Sequence, residues 1–187
     1  MKFEPLFKSE KNQLVKIEDG VLFSTENLSS VDAETAAGGN APVPEDKKIL
    51  TAVKAEWEKI DLGGENYNEE LLAGLRDYLK NLEEKGQFAF IVPSTKKEIP
   101  DADTADSYIK AMVHTARRIK DCVSVIGFAV PDELLAKDSE LDENSYSQWF
   151  VNEMNVKHGH YVYFVNKDAL NRCGLTEKAE RSSFILY

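Results

Sequence analysis

Three short apolar runs, Phe88–Val92, Ser124–Val130 and Tyr161–Val165, stand out against a chain that otherwise mixes polar and apolar positions. Runs of this length with almost no alternation predict strands buried on both faces, the signature of a parallel sheet. Each is preceded by a helical pattern. Asn66 or Asn68 can cap a helix carrying Leu71, Leu75, Tyr78 and Leu82 on one side and ending at Lys85-Gly86. Asp103 or Thr104 can cap a second, with Ile109, Met112, Val113, Ala116 and Ile119 on its apolar face. A third carries Tyr146, Trp149, Phe150 and Met154 and ends near Gly159; a short helix around Ala169–Arg172 and a terminal strand at Phe184–Tyr187 close the series. Helices alternating with buried strands imply right-handed crossovers and a parallel sheet.

The N-terminal portion is different. Leu14–Ile17 and Val21–Ser24 flank Asp19-Gly20 and predict a hairpin. Residues 27–46 are small and turn-prone and read as a loop, while 49–57 read as a strand with a helix as the rival. The expectation is a single α/β domain over residues 1–187, with hairpin and loop in 1–48 and βα units in 49–187. Eight βα units normally need about 250 residues, so a partial or reduced TIM-like barrel is expected. Its open edges would need covering by the hairpin, by the loop, or by a homodimer partner.

The run at 124–130 delivers Asp132 and Glu133 at its C-terminal end. In parallel α/β sheets and barrels that end gathers ligands and catalytic groups. The same two acids can equally open a helix, whose dipole they complement. If they shared one site their pKa values would split, leaving one a general acid; on a continuing strand they would point to opposite faces.

Charge and composition narrow the possibilities. The chain of 187 residues is 42% apolar and 30% charged with a formal charge of −10. Such a chain repels phosphate backbones, and Arg117-Arg118 with Lys120 is the only compact basic cluster, so nucleic acid is not an expected partner. No apolar run approaches the ~20 residues of a membrane span, and the N-terminus has no signal-peptide core. The expectation is a cytoplasmic protein, or a secreted one whose signal has been removed. Cys122 and Cys173 form no disulfide framework, and His114, His158 and His160 lack a metal-site spacing, so no metal or cofactor is expected. The acidic run Asp138, Glu140, Asp142, Glu143 has Glu143 where a calcium loop needs glycine.

Several segments, in order, carry a resemblance: Trp57-Glu58-Lys59-Ile60, Tyr67–Arg76, Glu83-Glu84-Lys85-Gly86, Ala116–Asp121 before Ser124–Phe128, and Tyr146–Val165. Together, over roughly residues 49–165, they resemble the cellulase-like, family-5 type glycoside hydrolases with (β/α)₈ barrels. The resemblance implies that Asp132 stands at the family's Asn position and Glu133 at its catalytic acid/base Glu. It also exposes departures. Thr51 and Ala52 occupy the neighbourhood of the family's strand-two Arg, and Pro93–Lys96 that of a His after strand three. The nucleophile Glu of strand seven has no counterpart; Glu177 and Glu180 read as solvated surface. Retaining glycosidases need two carboxylates about 5 to 5.5 Å apart, so one Glu cannot do both jobs.

The resulting expectation is a glycoside hydrolase-like protein that acts on or binds β-linked glycans, an O-glycosyl hydrolase if active, with Glu133 as acid/base beside Asp132. Trp57 and Tyr67 are the aromatics proposed to stack on sugar, whereas Trp149 sits on an apolar helical face suited to the core. The alternative is a non-catalytic carbohydrate-binding or protein-interaction scaffold derived from a glycosidase barrel.

Overall fold

The computed structural model describes residues 3–64 and 66–187. Three short strands come first, β1 (Phe7–Glu10), β2 (Gln13–Lys16) and β3 (Leu22–Phe23), followed by β4 (Leu28–Asp32), α1 (Ala33–Ala37), β5 (Leu50–Glu56) and α2 (Trp57–Ile60). A small antiparallel pair, β6 (Asp61–Gly63) and β7 (Asn66–Tyr67), leads into α3 (Glu69–Glu84), β8 (Ala89–Ser94), α4 (Ala102–Ile119), β9 (Val125–Ala129) and α5 (Asp132–Leu135). The chain finishes with α6 (Tyr146–His158), β10 (Val162–Val165), α7 (Lys167–Cys173), α8 (Thr176–Ala179) and β11 (Ile185–Leu186).

Six of these strands form one parallel sheet in the order β4-β5-β8-β9-β10-β11. Spatial order follows chain order, as in a βα barrel, but the sheet stays open. The three apolar runs are neighbours in it, and the rival helix at 49–57 gives way to β5 with Trp57 turning into α2. The helices end and begin as their residues dictate. The Asn68 side chain accepts the Leu71 N–H at 3.1 Å to start α3, and the Ser145 hydroxyl accepts the Gln148 N–H at 3.1 Å to start α6. The second long helix starts earlier than expected: Asp101, and not Asp103 or Thr104, is its cap, its carboxylate accepting the Thr104 N–H at 2.8 Å.

One segment corrects the sequence reading outright. Residues 27–46 are not simply a loop, since β4 pairs in parallel with β5 from Leu28↔Leu50 to Asp32↔Lys54 and α1 follows it. The first βα unit therefore lies within residues 1–48. Its strand is Leu-Ser-Ser-Val-Asp at the sheet edge, where only Val31 is buried, so it lacks the apolar run that marks central strands.

Helices cover one face of the sheet and the meander β1-β2-β3 covers the other. Alternating side chains divide the core accordingly. Val53, Ile91 and Phe128 meet the helices, with Leu75, Leu79, Tyr108 and Met112. Leu50, Ala52, Phe90, Ile126 and Phe164 point the other way and meet Phe7 and Leu14 from the meander. Phe90 and Phe164 stack at 4.2 Å, and Phe7 packs edge-on against Phe23 and Phe88. The expected hairpin is present, Leu14 opposite Phe23, and β1 extends it through a two-residue turn in which Lys11 and Asn12 both have positive φ. From that turn the Asn12 amide donates to the carbonyls of Ala179, Ser182 and Phe184 at 3.0, 3.3 and 2.7 Å. The Thr25 hydroxyl donates to the Leu186 carbonyl at 2.6 Å. The meander thus also ties down the β11 edge.

Strand β9 lies against β10 at a glycine. A Cβ on Gly127 would sit 2.0 Å from the Val162 carbonyl oxygen, a contact backbone cannot relieve by a rotamer change. Gly127→Ala is therefore expected to destabilise the fold by at least the ~1–3 kcal/mol typical of overpacking. Urea unfolding of the two proteins measures this, and an unchanged midpoint would contradict the close approach of β9 and β10.

Candidate functional site

Strand β9 ends at Ala129, and Val130-Pro131 carry the chain into the single turn of α5, whose first two residues are Asp132 and Glu133. The strand-end and helix-start readings of these acids thus describe one place. At that turn the two side chains diverge. The Asp132 carboxylate accepts from the Asn166 side-chain amide at 3.0 Å and from Arg172 at 3.4 Å, beside the end of β10. Glu133 reaches the other way, its Oε1 accepting the Thr95 N–H at 3.2 Å in the loop after β8, while its Oε2 is buried without a hydrogen-bond partner.

A third acid joins them that sequence reasoning did not single out. Glu58, in the turn of α2 just past β5, accepts from the Thr95 hydroxyl at 2.8 Å and from the N–H groups of Lys96 and Lys97 at 3.0 Å each. Its Oε2 is also buried and unpartnered. Glu56, at the last position of β5, pairs with Lys96 at 3.1 Å. The available signal was positional: Glu58 follows the end of a strand as Glu133 does.

Environment separates these carboxyls. Burial pushes Glu133 up, against the Thr95 hydrogen bond, and the neighbouring charges of Asp132 and Glu58 add to the rise. Burial also raises Asp132, opposed by Arg172 and Asn166. For Glu58 burial acts upward too, but the Thr95 hydroxyl and the loop N–H groups together outweigh it and hold the carboxyl below its ordinary range. The Tyr108 hydroxyl of α4 is buried and makes no hydrogen bond of standard geometry; its pKa is raised by burial first, then by the charges of Glu133, Glu58 and Asp132 and by a hydrogen-bonding interaction with Glu133.

The two aromatics expected to bind sugar are placed elsewhere. Trp57 is only 4% exposed: one face stacks on Tyr108 at 5.0 Å, Lys97 Nζ stands 4.6 Å from the ring centroid, and the indole N–H donates to Asp61 at 3.0 Å. Its ring has no free face for a ligand, because the apolar surface that could stack on sugar is used to seat α2 on α4. Tyr67 stacks on His114 of α4 at 3.9 Å and lines a cavity of about 280 Å³ that includes neither Asp132 nor Glu133. At the strand ends themselves, a polar cavity of about 290 Å³ is lined by Asp32, Lys54, Glu56, Lys59 and Ser94.

Other chemistry-bearing residues have structural roles. Asp138 accepts the N–H groups of Tyr146 and Ser147 and so caps α6, while Glu140 pairs with Lys178. Cys122 and Cys173 are free, and burial pushes the Cys122 thiol up to about 12. Among the described residues, no His, Cys, Asp or Glu cluster could hold a metal ion, and no helix is long and apolar enough to cross a membrane.

By sequence, neither a protein-family model nor a curated protein matches the chain. Solved structures do. Endo-glycoceramidase II from Rhodococcus sp., in complex with a cellobiose-like isofagomine, superposes with a TM-score of 0.57 at 9% identity, covering 81% of this chain and 51% of that one. GH5_18 proteins from Bifidobacterium longum subsp. infantis and subsp. longum give TM-scores of 0.47 and 0.49 at 10% and 11% identity, covering 62% and 76% of this chain and 34% and 44% of theirs. The chain spans about a third to a half of the length of these structures. The likeness to the endo-glycoceramidase structure shows the fold alone, an α/β parallel sheet of βα units that is left open here.

A carboxyl with a raised native pKa is stabilised in its protonated form, so its ionisation costs stability above that pKa and the cost disappears as pH falls through it. Glu133→Gln keeps an acceptor for the Thr95 N–H and removes the charge. It is expected to stabilise the protein at pH 7 and to be neutral near pH 4, as read by urea unfolding at the two pH values; destabilisation at pH 7 would show that the ionised carboxylate is favoured there.

Proposed function

We propose that this chain is a non-catalytic module with the architecture of a glycosidase, which binds a β-linked glycan at its strand ends without cleaving it. The observation that carries the loss of turnover is the state of the Glu133 carboxylate: one oxygen holds the Thr95 N–H and the other is enclosed. A general acid must reach the glycosidic oxygen within hydrogen-bond distance, and an enclosed oxygen offers no such approach. Binding is assigned to the cavity lined by Asp32, Lys54, Glu56 and Ser94, which sits at the ends of β4, β5 and β8. Its alternating charges and hydroxyl suit the vicinal hydroxyls of a sugar, and strand ends are the customary ligand position in this architecture. The fold-level likeness to an endo-glycoceramidase structure holding a cellobiose-like isofagomine supports a glycan as ligand class.

A hydrolase reading has one observation in its favour. Glu133 is pushed up and Glu58 held down, and a pair of carboxyls driven apart in this way is the pattern of an acid and its partner. In that reading Glu133 donates the proton and Glu58, reached through movement of the Thr95–Lys97 loop, supplies the second carboxylate.

The two readings separate on a panel of β-glucan oligosaccharides. The expected result is no release of reducing ends, with binding detected by calorimetry and weakened by Lys54→Ala or Glu56→Gln. Turnover that falls by the 10² to 10⁴ associated with loss of a general acid in Glu133→Gln would establish the hydrolase instead. Absence of both turnover and binding would leave a protein-interaction scaffold.

A further inference from the structure

At the opposite end of the sheet, the C-terminal ends of α4 and α6 converge on a cavity of about 640 Å³ lined by Phe3, Arg117, Lys120, Lys157, His158 and His160. Arg117, Lys157 and His158 also line the adjoining cavity of about 280 Å³, which extends between the two helices. In a chain of net charge −10 this is a concave concentration of cations. Lysine and arginine in a last helical turn complement the helix dipole, which accounts for Arg117 and Lys157 one at a time. It does not account for His158. That side chain is 2% exposed, and neither of its ring nitrogens has a hydrogen-bond partner.

A buried imidazole without partners is costly, and its surroundings make protonation costlier still. Burial, then His160, Lys120, Lys157 and Arg117, lower its pKa to about 4. The groups facing it can be enumerated by element. Lys157 and Glu153 come from α6; Arg117 and the adjacent Lys120 come from the end of α4, as does His114, which is occupied by Glu69 at 2.8 Å and by Arg117 at 3.0 Å. His160 and Tyr161 follow in the chain, and Glu4 lies across the larger cavity. Asp106 of α4 is paired with Lys110 at 2.6 Å. Among the described residues, the lining cations Arg117, Lys120 and Lys157 of the larger cavity therefore face a single carboxylate, Glu4.

We propose that the larger cavity is a binding site for a phosphate-type oxyanion, held by Arg117, Lys120 and Lys157 against the buried wall formed by His158. The three cations stand at exposed positions around that wall, so together they must outweigh solvent screening and the partial negative charge of the two helix C-termini. The anion is the free ion or the phosphoryl group of a small phosphomonoester, whose organic part would extend into the adjoining cavity past Tyr67 and His114. Burial is the first cause of the low His158 pKa and the neighbouring cations add to it; a bound negative charge offsets the cations' part, so His158 reports occupancy.

The test titrates the intact protein with inorganic phosphate and, separately, with a phosphorylated hexose, against sodium chloride at the same ionic strength. Imidazole resonances are followed by NMR and affinity by calorimetry. The expected result is saturable binding and an upward movement of the His158 titration from about 4 toward its ordinary 6.5. Lys120→Ala and Lys157→Ala, both at exposed positions, should each weaken binding about tenfold, the loss of one charge-assisted contact, with the fold unchanged by circular dichroism. Equal affinities for the two probes assign the free anion; tighter binding of the hexose phosphate assigns a phosphomonoester. The proposal is overturned if phosphate moves His158 no more than chloride does, or if binding survives intact in the Lys120→Ala, Lys157→Ala double variant.

Discussion

The structure depends on how the concave face of an open parallel sheet is kept from water. A sheet of βα units buries its outer face under its own helices, and a closed barrel buries the inner face by curling it upon itself. Six strands do not curl shut here. Phe90, Phe164, Leu50 and Ile126 would be exposed without the meander, whose Phe7 and Leu14 are 2% and 0% exposed against them. At ~1.5–3 kcal/mol for each fully buried large apolar side chain, this second layer is comparable with the net stability of a domain. The antiparallel sheet is thus the other half of the core, although it contributes no strand to the parallel sheet.

The strand ends carry a separate constraint, imposed by the loop after β8. In a complete barrel the carboxylates above the core look into an open mouth. In this chain Glu58 and Glu133 converge from α2 and α5 on a single loop, and both take hydrogen bonds from Thr95. An ionised or protonated carboxyl can hold a backbone N–H in place, so acids at strand ends can serve as fasteners of a loop. The polarity of a strand-end site and its accessibility are separate properties, and only the first follows from position in the fold.

The central strands were legible because each is apolar at nearly every position, a pattern only double-sided burial explains. β4 was not, because an edge strand needs few apolar residues and its Leu-Ser-Ser-Val-Asp resembles a turn-rich loop. β1, Phe-Lys-Ser-Glu, escaped for the same reason: only Phe7 is buried. The position of Glu133 past β9 could be read from the chain, but its orientation could not, since that is set by the β8–α4 loop, whose Thr95 comes 38 residues earlier. Trp57 shows the converse limit. Its ring is equally suited to sugar and to Tyr108, and only the packing of α2 on α4 decides between them. Glu58 became visible as a partner only once β5 and β8 were adjacent.

The amide of Asn12 binds carbonyls 167 to 172 residues further along the chain. Contacts across such a separation carry close to the largest loop-closure entropy the chain can impose, whereas neighbouring strands of the parallel sheet join through much shorter crossovers. The β1–β2 turn is synthesised well before residues 179–184, and the Asn12 amide lacks these partners until they have emerged. Through most of translation Phe7 and Leu14 lack the full surface they later seal, and so does the sheet face opposite them. The Asn12 amide is thus a clasp whose partners exist only once residue 184 has been made, and a chain shorter than that would leave the apolar face shared by the meander and the parallel sheet without this tie.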